Sequence, residues 1–305
     1  MMVTAAARCQ QAPFCPCCDS RKALPAFQKS SVDYFYCVGC GMTFIFPWPD
    51  EQALQGHYED YGQRYYLLDG LKDFLLSTKH YEREIRIVSR VASKGALLDV
   101  GCSVGGFVKA ATDLGYDAEG IDISPTSVAV GQAIGLQVRA GDFLTTTFAR
   151  KFDVITMWAT LEHLPKPNRY IEHALRQLRP GGTFFASVPN FSGITQRLIG
   201  HKDRYVGIDH LNYWTARGFV SYIAGFGLDI LGITTFAFNP ITLLQDWRLG
   251  GDSCDCEQMA RSQKRTASLK RTLVQHAHRA TEKLLNTAHL GDVVAIAGRL
   301  PIAGA

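Results

Sequence analysis

Ala96-Leu97-Leu98-Asp99-Val100-Gly101-Cys102-Ser103-Val104-Gly105-Gly106-Phe107 is an apolar run that ends on an acid and turns through glycines toward a helical segment. Such a turn lets the backbone approach a ligand closely at a helix N-terminus. A dinucleotide site requires G-x-G-x-x-G, with bare backbone where the pyrophosphate lies. Ser103 stands at the second glycine position, which weakens a dehydrogenase reading. Outward from this stretch, apolar runs recur at Ala118 to Ile123, Asp153 to Met157 and Thr183 to Val188, with helix-length spacers between them. That is the pattern of parallel strands joined by crossover helices in a doubly wound α/β sheet. Leu228 to Phe236 and Asp292 to Gly298 read as further strands.

Two more acids define the ligand that this edge suits. Asp122 closes the run Glu119-Gly120-Ile121-Asp122, where acids of doubly wound folds accept hydrogen bonds from ribose hydroxyls. Asp142, in Gly141-Asp142-Phe143, can accept from an exocyclic amine, with Phe143 beside it for a base face. Each acid alone also reads as a turn residue or helix cap. Together they suit adenosine without phosphates.

The motifs Leu98 to Gly105, Gly120-Ile121-Asp122-Ile123-Ser124, Gly141-Asp142-Phe143, Phe152-Asp153-Val154-Ile155 and Leu178-Arg179-Pro180-Gly181-Gly182 follow in order. Over roughly residues 75 to 299 the chain resembles the class I S-adenosyl-L-methionine (SAM)-dependent methyltransferases. The resemblance implies a Rossmann-like, mostly parallel, seven-stranded sheet. It implies that Asp99 and the loop Gly101, Cys102, Ser103 and Gly105 hold the methionine part of SAM. Asp122 would hold the ribose and Asp142 with Phe143 the adenine, with Ile123 and Trp158 as further cofactor contacts.

Methyl transfer from a sulfonium is a direct displacement, so alignment can supply most of the catalysis. A hydroxyl acceptor must still lose a proton, and a base or metal helps at neutral pH. Trp158-Ala159-Thr160-Leu161-Glu162-His163-Leu164-Pro165 falls at the carboxyl end of a strand, the edge where open α/β sheets place ligands. His163 is the leading base candidate; an imidazole that fixes the loop is the alternative. The chain lacks the Asp/Asn-Pro-Pro-aromatic sequence of enzymes that methylate base amino nitrogens. Val188-Pro189-Asn190 and Asp209 to Thr215 resemble segments of zinc-ribbon methyltransferases found near ubiquinone O-methyltransferases. Glu162-His163 with the later His210 resembles the metal site of small-RNA terminal 2′-O-methyltransferases, although Ala159 stands where those carry a second glutamate. Phe191 to Gly207, with Arg197, Lys202 and Arg204, reads as an acceptor-side lid or as a surface insertion.

Cys15-Pro16-Cys17-Cys18 and Cys37-Val38-Gly39-Cys40 repeat a C-x2-C spacing. One tight turn with two intervening residues presents both sulfurs to a tetrahedral ion, so Cys15, Cys18, Cys37 and Cys40 are expected to hold a structural Zn2+. Cys17 could replace a neighbour, but only Cys15 and Cys18 reproduce the second pair's spacing.

The 305 residues, with 32 Lys and Arg against 28 Asp and Glu, permit a nucleic-acid partner without indicating one. The N-terminus lacks a continuous apolar stretch, and Phe219 to Leu244 is broken by Asp229, glycines and Asn239-Pro240, so a cytoplasmic protein without a membrane span is expected. The expected organisation is a zinc ribbon over 1–50, a helical lead-in over 51–92 and the methyltransferase domain over 93–305. The favoured acceptor is a small molecule, sugar or lipid-linked metabolite methylated on oxygen. An RNA methyltransferase is the competing class, resting on the ribbon and on a late helix bearing Arg261, Lys264, Arg265, Lys270, Arg271, Arg279 and Lys283, a run whose commoner explanation is a solvated face. A non-catalytic ribbon protein is a third reading, disfavoured by the intact acids. Oligomeric state has no sequence signature here.

Overall fold

The computed structural model describes residues 13–48, 76–249 and 281–302. Most of the helical lead-in, the expected domain boundary near residue 50 and the basic segment 261–279 lie outside them.

Strands β1 (Ala23–Lys29), β2 (Val32–Cys37) and β3 (Thr43–Ile45) form an N-terminal antiparallel unit, followed by helix α1 (Glu82–Val91). The alternation then runs β4 (Ala96–Val100), α2 (Gly106–Asp113), β5 (Asp117–Asp122), α3 (Pro125–Gln132), β6 (Val138–Ala140), β7 (Phe152–Trp158), α4 (Pro167–Gln177) and β8 (Leu178–Pro189). Next come α5 (Ile194–Ile199), β9 (Asn212–Tyr213), α6 (Ala216–Ala224), β10 (Asp229–Phe236), α7 (Pro240–Leu249) and β11 (Val293–Arg299).

The main sheet has seven strands in the order β10-β11-β8-β7-β4-β5-β6. Strands β4 to β8 pair in parallel, and β11 enters antiparallel to both β8 and β10. Side chains alternate across the sheet with period two. Leu98, Ile155, Phe184 and Ile296 join Ile171 and Ala174 of α4 and Phe219 and Ile223 of α6 in one core. Leu97, Val154, Phe185 and Ala297 meet Ile85 and Val88 of α1 and Phe107 and Val108 of α2 on the other face. Both faces are covered, which is why β4 is buried along its whole length.

Asp153 belongs to this frame. Its carboxylate accepts from the Ala96 backbone N–H at 2.8 Å and from Arg179 at 2.7 Å, tying the start of β4 to β7 and β8.

The turn after β4 requires unusual backbone. Gly101 has φ +77°, and a Cβ there would lie 2.6 Å from Thr160 Oγ1. Gly105 has φ +83°, and its Cβ would sit 2.9 Å from side-chain atoms of Leu136 and Val138. Gly105→Ala therefore combines backbone strain with a clash and is expected to cost about 1–3 kcal/mol, read as a lowered Tm. An unchanged Tm would contradict that packing.

The N-terminal unit is built into the domain. Strand β9, from the far side of the sequence, pairs with β3 to give a four-stranded sheet β1-β2-β3-β9. Cys15, Cys37, Met42 and Phe44 lie in the same buried cluster as α4 and α6. Among the described residues, no helix is long and apolar enough to cross a membrane.

Candidate active site

The carboxyl edge of β4, β5 and β7 gathers most of the residues singled out for SAM. Asp99 is buried and accepts from Thr156 Oγ1 at 2.6 Å. Burial pushes its carboxyl up to about 7, the Thr156 hydroxyl opposes the shift, and the nearby Asp122 charge adds to it. Asp122 accepts from the backbone N–H of Ser103 at 2.8 Å and of Ser124 at 2.9 Å, one on each oxygen. Burial raises this carboxyl too, against those two donors. The pair of bonds locks the glycine turn to the end of β5 and leaves each oxygen a second lone pair.

Ser103 adopts φ +51°, so a serine takes the left-handed position within the glycine turn. Cys102 contributes backbone to the turn, since its sulfur is buried among Val108, Phe107 and Ala118. Ile123, next to Asp122, is 56% exposed, an apolar side chain at the mouth of the edge. Asp142 bonds the Leu144 N–H at 2.9 Å in a local turn. The Phe143 ring is buried, stacked near Tyr170 and edge-on to His173 at 4.7 Å, so it braces the turn from the core side. Trp158, at the end of β7, packs on Phe107 at 5.4 Å, and its Nε1 is buried without a hydrogen-bond partner among the described residues. A buried orphan donor, left-handed bare backbone and acids with spare lone pairs fit an amino-acid-bearing adenosyl ligand.

Beyond β7 the chain forms a 3-10 turn, Leu161–His163. Glu162 is 1% exposed, and neither of its carboxylate oxygens has a hydrogen-bond partner among the described residues. Burial pushes it up to about 8. His163 Nδ1 lies 2.8 Å from the Asp209 carbonyl, and His210 Nδ1 lies 2.8 Å from the Tyr205 carbonyl. A carbonyl only accepts, so each Nδ1 carries hydrogen and the neutral ring keeps its lone pair on Nε2. Burial lowers the pKa of His210, favouring the neutral form. Glu162, His163 and His210 each offer a ligand atom, and these lie within 4.8 Å of one another. Carbonyl-oriented imidazoles are the usual support of metal-ligating histidines.

The segment read as a lid is folded onto the domain. It contains α5 and a 3-10 turn, Gly200–Lys202, with Arg204 paired to Asp246 of α7 and Thr195 bonded to Asp292. Its Tyr205 carbonyl orients His210, and the Asp209 carbonyl just beyond it orients His163. Sequence reasoning missed that role, because backbone carbonyls leave no mark on residue type. Asn212 was also missed. Its Nδ2 donates to the carbonyls of Leu161 at 3.2 Å and Leu164 at 2.7 Å, and its Oδ1 is buried without a partner among the described residues.

The four cysteines named by spacing also converge. Cys15 Sγ lies 3.5 Å from Cys40 Sγ, Cys18 Sγ lies 3.5 Å from Cys37 Sγ, and all four fall within 4.8 Å of one another. Tetrahedral Zn–S bonds of about 2.3 Å imply sulfur separations near ~3.8 Å, so the donor set fits that ion. Cys17 turns away, with Sγ 3.1 Å from Met42 Sδ.

The profile of a family described as a methyltransferase domain matches residues 65–232. A ubiquinone biosynthesis O-methyltransferase of Methylococcus capsulatus is 30% identical over 165 residues, covering 48% of this chain and 68% of that protein. The corresponding protein of Nitrosococcus oceani is 33% identical over 179 residues, covering 51% and 72%. Among solved structures, one chain of the complex between the Haloferax volcanii Trm112 methyltransferase activator and its methyltransferase aligns with TM-score 0.52 at 15% identity, covering 80% of this chain and 97% of that one. A SAM-dependent methyltransferase of Archaeoglobus fulgidus aligns with TM-score 0.50 at 16% identity, covering 80% and 99%. These two likenesses concern the fold alone.

Proposed function

The chain belongs to the methyltransferase domain family, and on that premise we propose that it methylates an oxygen of a small hydroxylated acceptor seated against Glu162, His163 and His210. It is a SAM-dependent methyltransferase. The oxygen and the small acceptor are our reading, supported by relatives named as O-methyltransferases of ubiquinone biosynthesis.

The observation that carries the reading is the pair of orphan oxygens on Glu162. Burying an uncompensated carboxylate costs several kcal/mol, on the order of 3–5 for a broken pair. Two imidazoles share the cluster, and burial keeps His210 neutral, so a cation is the natural counter-charge. One carboxylate and two imidazoles suit a divalent transition-type ion and leave positions open for acceptor oxygens. When bound, such an ion supplies positive charge that lowers the pKa of an acceptor hydroxyl, and SAM supplies the electrophilic methyl carbon.

The chain's own residues do the rest. Asp99 and the Gly101–Gly105 turn receive the amino-acid end of the cofactor, Asp122 accepts from the ribose hydroxyls, and Asp142 with Ile123 bounds the adenine, while the Phe143 ring braces that turn from the core side. Trp158 stands between the cofactor edge and the acceptor side and offers its Nε1. Glu162, His163 and His210 would hold the ion that seats the acceptor, and the Glu162 oxygen not engaged by the ion would receive the departing proton. We assign Cys15, Cys18, Cys37 and Cys40 to a structural Zn2+.

Methyl transfer from labelled SAM to a panel of phenols, catechols and sugars tests this. A mild chelator that leaves the ribbon zinc in place is expected to abolish transfer, and Mg2+, Mn2+ or Zn2+ to restore it. Chelator-indifferent transfer would reject the ion, and a methyl group found on nitrogen or carbon would reject the oxygen.

A further inference from the structure

The N-terminal ribbon touches the Glu162–His163–His210 segment from two sides. On one side β3 pairs with β9, Thr43 opposite Tyr213 and Phe44 opposite Asn212, and the Ile45 N–H donates to the Leu211 carbonyl at 3.0 Å. The Leu211 N–H in turn donates to the Glu162 carbonyl at 2.6 Å. Asn212 completes that side with its two bonds to the Leu161 and Leu164 carbonyls. On the other side the first cysteine knuckle reaches α4, where Asn168 Nδ2 donates to the Cys17 carbonyl at 3.0 Å and Tyr222 Oη donates to Asn168 Oδ1 at 2.6 Å. Residues 161–168 are thus held between β3, acting through β9, and the first cysteine knuckle of one metal-binding unit.

We propose that the thiolate ribbon is the positioning element of the acceptor-side centre, templating β9 so that His210 is set against Glu162 and His163, with Asn212 as the positioning residue that carries the ribbon's hold to the 3-10 turn. This rests on the reading of those three residues as the acceptor-side centre. A two-residue strand has almost no stability of its own. It exists because β3 pairs with it on one side while its neighbour Leu211 bonds Glu162 on the other. The second knuckle closes the hairpin that presents β3, through the Cys37 N–H to Met42 carbonyl bond at 2.9 Å and the Gly41 N–H to Cys37 carbonyl bond at 2.9 Å. Small thiolate modules take their folding free energy from the ion, so losing it loosens this edge first. The acids of the cofactor edge are held by bonds that do not run through the ribbon or β9, since those of Asp99, Asp122 and Asp142 go to Thr156, Ser103, Ser124 and Leu144.

The test uses full-length chain as wild type, Cys40→Ser and Asn212→Ala, with bound zinc measured in each. Amide hydrogen exchange and SAM affinity by calorimetry are read on all three. In the zinc-free Cys40→Ser chain, exchange over 161–164 and 209–213 is expected to rise roughly tenfold or more. Exchange over 96–105 and the SAM Kd are expected to stay within about twofold. Asn212→Ala, which retains zinc, is expected to raise exchange at 161–164 while leaving β1 and β2 protected. Unchanged protection at 161–164 and 209–213 in the zinc-free chain overturns the inference, and so does a parallel loss of SAM affinity, which would mean general unfolding. Mn2+ titration of the wild type tests the underlying reading separately. A wild type that binds no Mn2+ yet shows the exchange split sinks the ion at the centre, while the ribbon's hold on the three residues stands.

Discussion

Asp99→Asn is expected to make the ligand-free chain more stable at pH 8 while weakening SAM binding about a hundredfold, about 2.7 kcal/mol. The two effects share one cause. Asp99 titrates near 3.8 when unfolded and, buried at the end of β4, is pushed up to about 7. Folding therefore favours the protonated acid. The stability this contributes is complete below pH 4 and is lost as pH rises through about 7. Asparagine has no proton to lose, and its Oδ1 can still accept from Thr156 Oγ1, the bond that Asp99 makes at 2.6 Å. The difference in Tm between variant and wild type should widen from pH 5 to pH 8. Only the ionised acid can pair with the ammonium group of the cofactor, so wild-type affinity should climb with pH through about 7 and then flatten. A variant that binds SAM like wild type, or an affinity that ignores pH over this range, would remove Asp99 from the cofactor site.

Glu162→Gln should be the most damaging change to turnover. The neutral amide supplies no counter-charge for an ion among His163 and His210. A loss of roughly 10²–10⁴ in kcat is expected, the range typical of a missing proton-handling or charge-stabilising group. SAM affinity should hold, because Glu162 lies beyond β7 while Asp99 and Asp122 end β4 and β5. The split matters more than the size. If kcat falls together with SAM affinity, Glu162 acts by supporting the fold, and if neither moves, the carboxylate has no part in the reaction.

The strands and the glycine turn were legible because period-two burial and left-handed backbone select residue types. Leu97 and Leu98 go to opposite faces, and Gly101 and Gly105 sit where a side chain would clash. The four zinc-type cysteines were legible for the same reason, since a tetrahedral ion dictates spacing. Phe143 shows the limit of reading by neighbourhood. Adjacency to Asp142 suggested a base face, whereas the ring is drawn inward by Tyr170 and His173 of α4. Strand β9 could not be read at all, because two residues carry no period and its partner β3 lies some 170 positions earlier in the chain. The folding of 194–204 against Asp246 and Asp292 was likewise hidden, as ion pairs and hydrogen bonds between distant segments leave no local pattern.

A crystal structure of the full chain grown with S-adenosylhomocysteine and Mn2+, with the manganese located by anomalous scattering, reads both halves of the site at once. The expected result is Asp122 accepting hydrogen bonds from the ribose hydroxyls, the amino group beside Asp99 and a manganese peak among Glu162, His163 and His210. A ligand seated away from those acids, or a triad without a peak beside a fully occupied cofactor site, would contradict it.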